Sequence, residues 1–222
     1  INQRSAFAGS LRFFSLGEFQ LRDSADQLAQ IDNPNEFGID LSYALRLSEN
    51  FSMAVSGRFV SSNINVTGAG GDSSASNTFG VDISAFYRGE EIFYNNFNGR
   101  WRFGGAIQNI GPKIKFDDVG QENFLPTNLK LGAGHDFILD PSNTIGLYAE
   151  FNKLLVPTPP DTEGLSDAES QQLINEYNDI GSFSGIFQSF SDAPDGLSEE
   201  LKEVTWALGA EYWYEDSFAF RL

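Results

Sequence analysis

The sequence predicts an all-β fold, a transmembrane antiparallel β-barrel, on three observations. Apolar and polar residues alternate within segments of about 11–13 residues. Strands of soluble sandwiches are nearer 5–6 residues, whereas a tilted membrane strand needs about 9–11 plus overhang. The connections alternate long and short, as in outer-membrane barrels with long loops at one end and tight turns at the other. The polar faces are rich in Gly, Ser, Ala, Asn and single charges, as a lumen is, and the opposite faces are apolar.

The strands follow in order. Ser10–Arg22 is aromatic-rich and imperfectly alternating. Phe37–Ser48 is cleaner, with Phe37, Ile39, Leu41, Tyr43, Leu45 and Leu47 on one face. Phe51–Asn63 places Phe51, Met53, Val55 and Phe59 together, and Thr78–Arg88 places Phe79, Val81, Ile83, Ala85 and Tyr87 together. Arg100–Ile110, Asn128–Leu139 and Asn143–Leu154 repeat the period of two. Val204–Tyr214 follows, and Ser217–Leu222 begins a further strand, making eight strands and part of a ninth. Trp101, Trp206, Tyr212, Trp213 and Tyr214 stand near strand ends, where interfacial aromatic girdles occur. The competing reading is a soluble sandwich or ligand barrel with these aromatics in its core.

Glu49-Asn50, Asp140–Ser142 and Glu215-Asp216 are tight connections; Asp23–Glu36, Ile64–Asn77 and Gly111–Thr127 are long, and Gly89–Gly99 is intermediate. The longest is Leu155–Glu203, entered through Asn152–Pro160. Pro157, Pro159 and Pro160 cannot donate to a ladder or continue a helix, so strand pairing stops there. From Asp161 to Glu203 this insert holds eleven acids and one base, Lys202. Ser166-Asp167-Ala168-Glu169 matches a capping box, and Leu173, Ile174 and Tyr177 follow at helical spacing. A second short helix is expected over Ser198–Val204, and Gly181–Phe190 is a Gly/Ser-rich tip bearing Phe183, Ile186, Phe187 and Phe190. Those apolar side chains either fold back over the barrel mouth or dock into another protein. As partner-binding residues we single out Phe183, Ile186, Phe187 and Phe190, with Leu155, Val156, Pro157, Pro159 and Pro160 holding the insert's exit.

The composition excludes several classes. Cysteine is absent, which removes disulfides, Cys-ligated zinc and a Cys nucleophile. A net charge of −17 lacks the basic footprint of a nucleic-acid binder. No apolar run reaches transmembrane-helix length. His135 is the single histidine, in a strand and without a motif around it, so it reads as a strand or girdle residue. Glu90-Glu91 and Asp117-Asp118 are loop carboxylates, and Asp72 sits in a Gly/Ser loop without the lysine of a phosphate loop. No catalytic, metal or cofactor residue is predicted, and the protein reads as non-enzymatic. Because bacterial barrels close with an even strand number, further strands are expected after Leu222 and before Ile1, with residues 1–222 forming part of a single barrel domain.

Several blocks occur together: Pro34–Phe37, Asn109–Ile114, Phe124–Gly132, Asn152–Pro160, Leu11–Gly17 and Ile39–Tyr43. The combination resembles the PorV (LptO) family of outer-membrane barrels of the Bacteroidota type IX secretion system, itself similar in fold to the FadL long-chain fatty-acid transporters. The resemblance implies a barrel of about 14 strands, integral to the outer membrane with its long loops extracellular. It also implies partners: the giant translocon barrel SprA (Sov), cargo proteins bearing a C-terminal signal domain, the cell-surface sortase attachment complex, and outer-membrane lipid or LPS. The alternative it leaves is a FadL-like transporter of fatty acids or other hydrophobic small molecules.

Overall fold

A computed structural model describes residues 3–22, 26, 28–63, 75–115, 122–194 and 196–222. Its strands are β1 (Ser5–Ser15), β2 (Phe19–Arg22), β3 (Leu28–Asp32), β4 (Asn35–Arg46), β5 (Phe51–Asn63), β6 (Ser76–Arg88), β7 (Ile92–Tyr94), β8 (Phe97–Ile110), β9 (Asn128–Asp140), β10 (Asn143–Leu154), β11 (Thr205–Tyr214) and β12 (Phe218–Arg221). Between β10 and β11 lie three helices, α1 (Asp167–Asp179), α2 (Ser182–Gln188) and α3 (Leu197–Glu200). One antiparallel sheet runs β1-β4-β5-β6-β8-β9-β10-β11-β12, with β7 paired to β8, while β2 and β3 form a separate hairpin. The sheet is open, with β1 and β12 at its two ends. None of the described helices is long and apolar enough to cross a membrane.

Burial runs opposite to that of a soluble protein. Leu41 is 67% exposed while its neighbour Asp40 is 8% exposed. Among the described residues the buried aliphatic side chains are Ile114, Leu155 and Ala193, and none of them lies in a strand. The register keeps one face apolar from strand to strand: Phe7 opposes Tyr43, Tyr43 opposes Val55, and Val55 opposes Ile83. Farther on, Leu131 opposes Phe151 and Phe151 opposes Trp206. A one-residue slip would turn every such side chain inward, so this continuous outward band is an all-β membrane-barrel wall with lipid as its core.

The inner face is held by charges instead. Asp40 accepts hydrogen bonds from Ser10 Oγ at 2.9 Å and Arg12 Nη2 at 2.6 Å, and it also pairs with Arg58. Arg58 reaches on to Asp82 at 3.3 Å, linking four strands. Near the short-turn end, Asp136 accepts from Arg102 Nε at 2.7 Å and Tyr148 Oη at 3.1 Å. The Tyr148 ring lies over Gly134 and Gly146, where any Cβ would overlap it.

Two sequence expectations need correction. Ser10–Arg22 is two strands: Leu16 donates its N–H to Pro34 O at 3.0 Å, and Gly17 adopts φ +85°. The chain turns there, and β2 pairs with β3 rather than continuing β1. The connection after Arg88 also contains β7, which folds back on the start of β8. The Gly/Ser loop from 64 to 74, with Asp72, and the Asp117-Asp118 pair lie outside the described residues.

Candidate partner-binding surface

At the long-connection end, blocks far apart in sequence form one knot, and Asn109 is its centre. Asn109 has φ +59°, a left-handed conformation that Asn tolerates better than most residues. It sits where the β6–β8 register shifts, and its N–H goes to Asp82 Oδ1 at 2.7 Å. Its side chain accepts from Arg58 and donates to Pro126 O at 3.0 Å. Thr127 Oγ1 donates to Asn109 O at 2.9 Å, and Thr127 O accepts the N–H of Leu155 at 2.7 Å. The inner-face charge network is thereby tied to the connection after β8 and to the foot of the insert.

The insert docks on that knot. Leu155 and Pro157 are buried, Val156 and Pro160 half-buried, and Pro159 exposed. Tyr177 of α1 donates to Pro157 O at 3.2 Å, and its ring meets Phe124 edge-on at 5.6 Å. Burial pushes the Tyr177 hydroxyl above its ordinary value, with Asp192 adding to the shift. Lys113 Nζ sits 4.1 Å over the Phe124 ring and donates to Asn178 O at 2.7 Å. That burial holds its ammonium below the usual lysine value, while Glu122 and Asp179 pull the other way. Ser166 and Glu169 cap α1 reciprocally, as the sequence predicts.

Lys153, near the end of β10, is buried and donates to Glu200 Oε2 at 2.7 Å and Glu203 Oε2 at 2.6 Å. Glu200 also accepts the N–H of Ala193 at 3.0 Å, and Asp192 accepts the N–H of Thr158 at 2.9 Å. The hydrogen bond from Lys153 is the largest cause holding the Glu200 carboxyl below its ordinary value. The insert is therefore clamped at both its entry and its exit.

What remains free is one side of α2. Gly181–Phe190, expected as a Gly/Ser-rich tip, contains this helix, and Gly185 is its buried contact: a Cβ there would stand 2.9 Å from both Phe124 and Pro157. With Gly185 and Ser189 inward, Phe183 and Phe187 point outward, 68% and 75% exposed. Phe190 is exposed just beyond the helix, and Ile186 is half-buried. The surface is a rigidly seated aromatic ridge rather than a loose loop. It offers shape and apolar area, with no acid, base or nucleophile among its aromatic residues.

A family model described as type IX secretion system protein PorV matches residues 1–161. The chain belongs to the PorV family. A search of curated proteins finds no match. The PorV match spans β1 to β10 and ends in the proline exit, so the Asn109–Thr127–Leu155 knot lies inside it and the three insert helices lie beyond it. Membership makes this a type IX secretion component, and PorV is a secretion family rather than a known enzyme family. The PorV family is an outer-membrane one, in keeping with a β-rich chain whose apolar face is turned outward.

The other sequence candidates take structural places in this PorV frame. His135 packs on the outward face against Trp101 and Phe137, with ring centroids at 4.6 and 4.5 Å. Its Nδ1 has no hydrogen-bond partner among the described residues. Glu91 is engaged by Arg100 at 3.1 Å. No group of three or more His, Cys, Asp or Glu suited to a metal occurs among the described residues. Sequence reasoning missed Lys113, Phe124, Lys153 and Glu200. Lys113, Phe124 and Lys153 lie within the blocks that carry the resemblance, but Asn178, Tyr177 and Glu200, which they meet, lie tens of residues away.

Proposed function

We propose that this chain is a non-enzymatic outer-membrane adaptor of type IX secretion, with its long-connection end outside the cell. It associates with the SprA translocon barrel, receives cargo through the C-terminal signal domain, and passes it to the cell-surface attachment complex. Family membership supports the system. The observation supporting the contact is the α2 ridge, where Phe183 and Phe187 stay exposed on a helix fixed from behind by Gly185. Aromatic anchors on a preorganised element are favoured as binding hot spots because little ordering entropy is lost on association.

A FadL-like transport role needs an apolar path along the inside. The described inner face instead carries the Arg12–Asp40–Arg58–Asp82 and Arg102–Asp136–Tyr148 linkages. The adaptor reading is favoured on that ground.

Phe183→Ser with Phe187→Ser, placed in the full-length protein, is expected to reduce co-purification of SprA in mild detergent by more than about tenfold, given roughly 2 kcal/mol for a hot-spot residue. A heat-modifiable band on a gel checks that the barrel is folded. Unchanged recovery of SprA would remove α2 from the contact.

A further inference from the structure

The insert leans over the outward wall and leaves a cleft against it that is open on one side. Phe151 and Lys153 lie on the outward face of β10, opposite Leu131 and Leu129 of β9. Phe190 and Leu201 of the insert and Val204 just after it stand across from them, and the space between has a volume of about 270 Å³. Leu129, Leu131 and Phe151 form one side and Phe190, Leu201 and Val204 the other. The charged groups lining it, Lys153 and Glu200, bind each other at 2.7 Å and so leave no free charge at the back.

We propose that this cleft holds one acyl chain of a bilayer lipid from the leaflet at the long-connection end. Continuity with the membrane-facing wall selects that occupant. Leu131 and Phe151 are each 51% exposed and belong to the same apolar band as Leu147 and Leu208, so the open side of the cleft faces hydrocarbon. Asn152 is the one further polar residue in its lining, so an apolar cleft with its ions already paired gives water few partners and suits a hydrocarbon ligand. Leu201, at 72% exposure, is the outer lip and would otherwise point an aliphatic side chain into solvent. The chain becomes the third surface of the packing between wall and insert, and it helps to seat the helices above it. This does not depend on which protein binds α2.

The test uses full-length protein in nanodiscs made with a phospholipid bearing a diazirine midway along one acyl chain. Adducts on Phe190, Leu201 and Val204 are expected to exceed those on the wall residues Leu147 and Leu208 by about tenfold, the ratio set by roughly 1.4 kcal/mol of preferential binding. Leu131→Trp fills the cleft and should bring the insert's labelling down to the wall level. Leu201→Ser alters only the exposed lip, and should do the same without threatening the fold. Even labelling along the whole outward face, meaning annular lipid only, overturns the proposal. So does benzoylphenylalanine substituted for Leu201 being captured by a protein rather than by lipid in native membranes.

Discussion

Asp136→Ala is expected to lower the stability of the folded sheet by about 3 kcal/mol, the lower end of the range for breaking a buried ion pair. The measurement is the urea midpoint of the folded band in a gel-shift assay. Asp136 is 1% exposed and is the shared acceptor for Arg102 and Tyr148. Without it the Arg102 guanidinium loses the carboxylate it bonds while Arg88 and Arg100 stay near; Arg100 already has Glu91, and the nearby Glu211 is bound by Arg221. The Arg102 side chain remains 32% exposed, which allows partial hydration and keeps the loss away from the top of that range. Arg102→Met with Asp136→Leu removes both ions together and should recover part of the loss, because the penalty comes from an orphaned charge rather than from a missing attraction. A single-variant loss under about 1 kcal/mol would mean that Arg102 is satisfied without Asp136.

The wall was legible in the sequence because its signal is local. Phe51–Asn63 and Asn143–Leu154 are legible to their final residues, since each alternates with few exceptions between two abrupt ends. The α1 start was legible for the same reason: a capping box needs only Ser166 to Glu169. Other features depend on distant partners. The break at Gly17 follows from a hydrogen bond to Pro34, and neither residue alone distinguishes a bend from a continuing strand. Helix α2 is rich in Gly and Ser, which are poor or neutral helix formers. It is held by Gly185 seating against Phe124 and Pro157, from two other segments. The apolar side chains proposed as anchors are identifiable as unusual, but their division into exposed Phe183, Phe187 and Phe190 and a half-buried Ile186 requires that seating. Lys153, an outward-facing lysine in a membrane strand, looks anomalous until Glu200 arrives from 47 residues away.

That pairing makes the strongest expectation for the insert. Lys153→Met should leave the wall folded and release α3, because Glu200 is buried and loses its counter-ion; the cost is about 3 kcal/mol. Hydrogen exchange is the readout. Amides of residues 193–204 should exchange roughly a hundredfold faster, while those of β9 and β10 hold their protection. Acid provides a second route to the same opening. The folded value of Glu200 lies below its ordinary value of about 4.5, so the unfolded segment binds the proton more readily. Its contribution to docking is therefore fully present above about pH 4.5 and is lost as the pH falls through the lower folded value. Wild-type protein should show residues 193–204 opening in that acidic window, and Lys153→Met should be already open and nearly insensitive to it. If acid opens both proteins equally, other carboxylates hold the insert. The lysine then serves only to fill the wall, and the clamp belongs to the Tyr177–Pro157 and Thr158–Asp192 contacts instead.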